Sequence, residues 1–366
     1  MRSDDKDDAT RPVSISATFD PAAAAGADSG VFGLPYSFQD ARVIVLPVPF
    51  AATTSYGGGA QNGPRAVYEA SKQVDLYDVE IGRPYEAQIH MLEEDPSIAQ
   101  WHSEARADAA LVIEAAGQVA GDPKLQAALE RVNVRSAKVN NWVYEQTKSL
   151  IAQRKLVALV GGDHSTPLGA IRALSERHHG MGILHIDAHA DLRVAYEGFQ
   201  YSHASIMYNV LQEAPGVSKI VQVGIRDFSE DEANLSSSSG GRVLTFYDTL
   251  LARKRFRGET WAQQCEQMVS ELPQKIYISF DIDGLDPALC PHTGTPVAGG
   301  LSFAMAHELL RAVADAGKTI VGVDLNEVVP APDGSEWDGN VGARLLYKMI
   351  GWMAYSNGLI DRTGRG

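Results

Sequence analysis

Several short runs of this chain are apolar at consecutive positions, not at every second one, and that narrows the folds open to it. Val43-Ile44-Val45-Leu46 and Val157-Ala158-Leu159-Val160 show the pattern most clearly. Side chains alternate between the two faces of a strand, so a strand apolar throughout must be covered on both. Strand-like segments recur at residues 42–49, 87–91, 157–160, 181–186, 219–225, 242–246, 275–280 and 319–325. Helical periodicity separates most of them, at 65–71, 104–154 with a break at Gly121-Asp122-Pro123, 168–178, 202–213, 260–272, 304–316 and 342–355. Ser236-Ser237-Ser238-Ser239-Gly240-Gly241 reads as a loop. Strands alternating with helices predict an α/β, doubly wound architecture around a mainly parallel eight-stranded sheet. Residues 1–40 lack sustained periodicity and carry Pro12 and a run of alanines, so they are expected to form an N-terminal arm, partly disordered or contacting a neighbour in an oligomer. No repeat or linker divides residues 41–366, which are expected to form a single catalytic domain.

Composition removes several classes of function. A formal net charge of −14 leaves no basic stripe for a nucleic-acid backbone. No apolar run approaches the roughly 20 residues that span a bilayer. The opening Met1-Arg2-Ser3-Asp4-Asp5-Lys6-Asp7-Asp8 lacks the apolar core of a secretory signal. Two cysteines, Cys265 and Cys290, are too few for a disulfide framework, and a reducing, cytoplasmic setting is the expectation.

Chemistry gathers where three of the apolar runs end. Asp187-Ala188-His189-Ala190-Asp191 follows the run at 181–186, His164 follows 157–160, and Asp281 and Asp283 follow 275–280. In extended chain, positions two apart share a face, so Asp187, His189 and Asp191 converge. Ligands of open parallel sheets collect at the carboxyl ends of strands, where all of these residues fall. Buried carboxylates crowded together need a cation between them. Two imidazoles and four carboxylates exceed the three protein ligands usual for one catalytic zinc. They suit two divalent ions roughly 3.5–4 Å apart, sharing carboxylates. An oxygen-rich set favours manganese, with nickel as the alternative. Gly57-Gly58-Gly59 lacks the Gly-Lys-Ser/Thr of a phosphate loop and reads as a tight turn near a pocket.

Gly161-Gly162-Asp163-His164-Ser165, Asp187-Ala188-His189-Ala190-Asp191 and Ser279-Phe280-Asp281-Ile282-Asp283-Gly284-Leu285-Asp286-Pro287 together resemble the ureohydrolase superfamily of arginases and agmatinases. Gly63-Pro64-Arg65-Ala66-Val67-Tyr68 is similar to that family's early loop and helix. The resemblance implies a three-layer α/β/α sandwich and a binuclear centre that hydrolyses a guanidino group, releasing urea plus an amine or ammonia. It implies one ion held by His164, Asp187, Asp191 and Asp281, and a second by Asp187, His189, Asp281 and Asp283. His203 matches the family's proton-shuttling histidine, and Glu327 the carboxylate that pairs with the guanidinium. A homo-oligomer, trimer or hexamer, is implied as well. His178, His179 and His185 belong to no such motif and read as structural.

The stretch from Leu192 to Gln200 looks agmatinase-like, not arginase-like, which makes arginine a poor candidate. His292 stands before Thr293-Gly294-Thr295-Pro296 where the family usually has a small residue, so it is expected at the substrate pocket. A small cationic guanidino substrate follows. The alternatives are free guanidine or a small substituted guanidine or biguanide with nickel, a non-catalytic partner subunit on the same scaffold, and a single-zinc deacetylase relative.

Overall fold

A computed structural model describes residues 19–26 and 28–364. The strands are β1 (Val43–Val48), β2 (Ile89–Met91), β3 (Leu156–Gly161), β4 (Met181–Ile186), β5 (Val217–Ile225), β6 (Val243–Tyr247), β7 (Lys275–Asp281) and β8 (Thr319–Asn326). They form one eight-stranded sheet in the order β2-β1-β3-β8-β7-β4-β5-β6. Every neighbouring pair runs parallel. All eight expected strands are present, and the sheet is wholly parallel.

The double cover required by the apolar runs is supplied by helices α1 (Gly63–Ser71), α2 (Pro96–Glu114), α3 (Pro123–Ala152), α4 (Leu168–Arg177), α5 (Ile206–Glu213), α6 (Glu230–Ser238), α7 (Asp248–Phe256), α8 (Trp261–Ser270), α9 (Phe303–Asp315) and α10 (Trp337–Ser356). Val45, Val160 and Leu184 share one buried cluster with residues of α1, α8, α9 and α10. Their strand neighbours Ile44, Leu46, Leu159 and Ile183 point the other way, into clusters built with α2, α3, α4 and α5. The three-layer sandwich follows from that alternation.

Some boundaries differ from expectation for local reasons. The serine run expected as a loop is largely the last turn of α6. A capping box begins that helix: the Ser229 hydroxyl accepts the Glu232 amide while the Glu232 carboxylate accepts the Ser229 amide. Helix α2 starts eight residues early, at Pro96, because Asp95 caps it by accepting the Ser97 amide. Within the expected N-terminal arm, residues 1–18 lie outside the described part. Val31, Phe32 and Leu34 are buried against the chain itself, with the Phe32 amide donating to Ser71 Oγ at 2.9 Å and its ring 4.8 Å from that of Tyr347.

Candidate metal centre

The four central strands, β3, β8, β7 and β4, deliver the site. His164 follows β3, Asp187, His189 and Asp191 follow β4, Asp281 ends β7 with Asp283 just beyond it, and Glu327 follows β8. His164 Nδ1 lies 3.0 Å from Asp187 Oδ2, 3.3 Å from Asp281 Oδ2 and 3.5 Å from Asp191 Oδ2. His189 Nδ1 lies 3.1 Å from Asp283 Oδ2 and 3.4 Å from Asp187 Oδ1. Ligand-capable atoms fall into two groups that share Asp187, one with His164, His185 and Asp191, the other with His189 and Asp283. Asp281 joins the first through its contact with His164.

Local backbone geometry makes this convergence possible. Asp191 and Glu327 both adopt positive φ, 53° and 61°, which costs a non-glycine residue on the order of 1 kcal/mol. Each is held there by backbone hydrogen bonds. The Asp191 carbonyl accepts the amides of Met207 and Tyr208 at the start of α5. The Glu327 amide donates to the Gly162 carbonyl, while its own carbonyl accepts Thr293 Oγ1 at 2.8 Å. The Glu327 carboxylate in turn accepts the His164 amide at 3.0 Å. Gly162 has no room for a side chain, because a Cβ there would run into the Phe50 backbone.

The electrostatics are those of a cradle shaped for cations. Burial, and then the charge of Asp187, pushes the Asp191 carboxyl well above the usual carboxylate range. Burial followed by Asp283 and Asp187 does the same to Asp281. Asp187 moves the opposite way: burial alone would raise it, but hydrogen bonds from His164, His185 and His189 hold it well below. Such a set repels itself unless positive charge enters. The outer contacts also fit a metal. His164 Nε2 sits 2.8 Å from Ser279 Oγ, and Ser279 donates to Asp324 Oδ1 at 3.1 Å. With its hydroxyl proton directed at Asp324, Ser279 accepts Nε2–H. Burial alone would lower the His164 ring, but Asp187 and Asp281 hold it well above the usual imidazole range, so a cation entering the cradle would displace the Nδ1 proton and meet that nitrogen.

A cavity of about 180 Å³ opens over His189 and Asp191 and is lined also by His203, Tyr56, Arg193 and Thr295. His203 Nδ1 is buried and has no hydrogen-bond partner, and burial, then the nearby His189, lowers the ring to about 4. Ser55 and Tyr56, ahead of the triple-glycine turn, reach the same cavity. Glu327, expected at the substrate pocket, is buried and does not line this cavity; its carboxyl is raised by burial and then by Asp281. His292 is turned elsewhere: its amide and its Nδ1 both bond the buried Asp338 at the start of α10, at 3.0 and 2.8 Å, and it does not line this cavity. His178 is remote, beside Lys275. His185, expected to be structural, instead places Nε2 2.9 Å from Asp187 Oδ2. The two-residue period that grouped Asp187 with His189 also points His185 to the same face, so the signal was present in the sequence. Ser279 shares that signal, standing two residues before Asp281, whereas Asp324 carried none.

N(1)-aminopropylagmatine ureohydrolase of Thermus thermophilus is 33% identical over 326 residues, covering 89% of this chain and 94% of that protein. An agmatinase of Escherichia coli is 29% identical over 329 residues, covering 88% and 92%. Among solved structures, proclavaminate amidino hydrolase from Streptomyces clavuligerus superposes with a TM-score of 0.68 at 22% identity, over 91% of this chain and 99% of that one, a likeness of fold. The family model of the Arginase family matches residues 41–351, a span that contains every strand of the sheet and every residue of the cradle. The chain therefore belongs to the arginase family.

Proposed function

We propose that this ureohydrolase cleaves a C–N bond of a small guanidino compound, releasing urea and an amine or ammonia, with two divalent cations in the cradle. One observation carries the reading: six donor side chains from three strand ends gather in two adjoining, largely buried groups that share Asp187, beside a cavity of about 180 Å³. One ion is assigned to His164, Asp187, Asp191 and Asp281, the second to Asp187, His189, Asp281 and Asp283. When bound, such a pair supplies the Lewis acidity that makes water a nucleophile at neutral pH. The remaining steps belong to the chain. Glu327 is assigned to pair with the guanidinium, whose positive charge would favour the ionised carboxylate that burial and Asp281 oppose, and the backbone bonds that hold it fix its distance from the ligands. His203, neutral in the resting protein and with an unpartnered Nδ1 at the cavity wall, is placed to accept a proton there and pass it to the departing nitrogen.

The names of the relatives favour a guanidino group on an amine-bearing chain, as in agmatine or its aminopropyl derivative. Four carboxylates among six donors favour manganese, with nickel the alternative. Cys265 and Cys290 are buried and free, which suits the cytoplasm. Among the described residues no helix is long and apolar enough to cross a membrane. We also assign a homo-oligomer, trimer or hexamer, on the family likeness. The test is metal analysis of the purified protein with a urea-release screen over agmatine, guanidinobutyrate, guanidine and arginine, with Mn²⁺ or Ni²⁺ supplied. Urea from agmatine or guanidinobutyrate, with about two metals per chain, is expected. No urea from any of the four would overturn the reading.

A further inference from the structure

One register row of this sheet is polar on five adjacent strands. Asp324 of β8 pairs with Ser279 of β7, Ser279 with His185 of β4, His185 with Gln222 of β5, and Gln222 with Thr245 of β6. Asp324, Ser279, His185 and Gln222 are each 0% exposed. Burying such groups costs free energy unless each finds a partner, and here the partners form a chain that ends on a carboxylate of the cradle.

The direction of that chain can be read from one bond. The Gln222 side chain places an atom 2.6 Å from the carbonyl oxygen of Ala190, which can only accept, so that atom is the amide nitrogen. The same nitrogen lies 3.0 Å from His185 Nδ1. Gln222 Oε1, on the other side, accepts Thr245 Oγ1 at 2.8 Å, which fixes the amide against rotation. His185 Nδ1 is therefore an acceptor and bears no proton. The ring proton sits on Nε2, 2.9 Å from Asp187 Oδ2.

We infer that His185 is a positioning residue for the shared carboxylate Asp187, with its tautomer set by Gln222 and Gln222 in turn set by Thr245. The inference rests on the two-cation reading above. Asp187 Oδ1 is held by the His189 amide at 2.6 Å, and Oδ2 by His185, so the carboxylate plane is fixed at both oxygens. A carboxylate shared by two cations must offer each oxygen in a set direction, and fixing it beforehand removes an ordering cost from metal binding.

The experiment measures Mn²⁺ affinity of the metal-free protein by competition with a chelator, in wild type and in His185→Phe, Gln222→Met and Thr245→Val. His185→Phe removes the donor, and a loss of about 10–100-fold in affinity is expected. Gln222→Met keeps the volume and frees the tautomer, for a smaller loss, and Thr245→Val a smaller one still. In ¹⁵N-histidine NMR, His185 is expected as the Nε2–H tautomer in wild type and as a mixture in Gln222→Met, a change that loss of packing does not produce. Gln222→Met lies away from the cradle, so it decides the matter if His185→Phe fails to fold. Unchanged Mn²⁺ affinity in a folded Gln222→Met, or an Nδ1–H tautomer in wild type, overturns the assignment alone. Wild type that binds no Mn²⁺ overturns both it and the reading beneath it.

Discussion

At the scale of single residues, the strongest expectation concerns Asp281. Its carboxyl is held well above the usual range by burial and then by Asp283, so the charged form destabilises the metal-free fold. Asp281→Asn removes that charge while keeping the shape. The variant is expected to lose bound metal and urea release, while its metal-free form melts at or above the temperature of metal-free wild type. Full activity in the variant would remove Asp281 from the centre. His203→Ala is expected to lower kcat by about 10²–10⁴-fold, the usual worth of a positioned acid, with metal content unchanged. Loss of metal in that variant would make His203 a ligand or a support, not a proton donor. The cradle residues were legible because each occurs within five residues of a strand end. His292 was read differently from sequence because its partner Asp338 lies 46 positions further on, beyond any local pattern.

At the scale of elements, the approach of β3 to the loop after β1 depends on a missing side chain. Gly162→Ala drives a Cβ into the Phe50 backbone, which cannot yield as a flexible side chain can. A destabilisation of about 2–4 kcal/mol is expected by denaturant unfolding, since the strand end must shift. Helix α9 carries a different liability. Burial first, and then the charge of Lys348, lowers His307 to about 4, with Glu80 and Asp78 opposing. The unfolded chain takes up this proton near pH 6.5, so the unfolded state binds more protons between pH 6.5 and 4. Stability contributed by the neutral ring is complete above pH 6.5 and falls as pH drops towards 4. His307→Leu is expected to make the decline in unfolding free energy across that window, followed by denaturant titration, shallower by an amount on the order of 1–2 kcal/mol. An unaltered slope would mean that His307 is protonated in the fold. Helix boundaries were less legible than strands. The polar α6 has little apolar stripe to betray it, and its start is announced only by the Ser229 and Glu232 capping pair.

At the scale of the whole molecule, the centre ties the four middle strands together, so metal occupancy and global stability are linked. Ligands that bind only the folded state stabilise it by RT ln(1 + [L]/Kd). Removing metal with a chelator is expected to lower the melting temperature in one cooperative transition, and excess Mn²⁺ to restore it. A melting temperature that ignores both treatments would place the ions at the surface. Apolar runs flanked by turn residues specified eight strands, their double cover and the residues at their ends, because these follow from side-chain chemistry over a few positions. Their neighbours in space did not follow. That β3 lies beside β8, and β7 beside β4, is set by how long crossovers pack and bury both faces at once, a condition on the entire chain. The same long-range condition brought His185, Gln222 and Thr245 into one row and turned His292 to Asp338, contacts that exist only when distant segments are packed together.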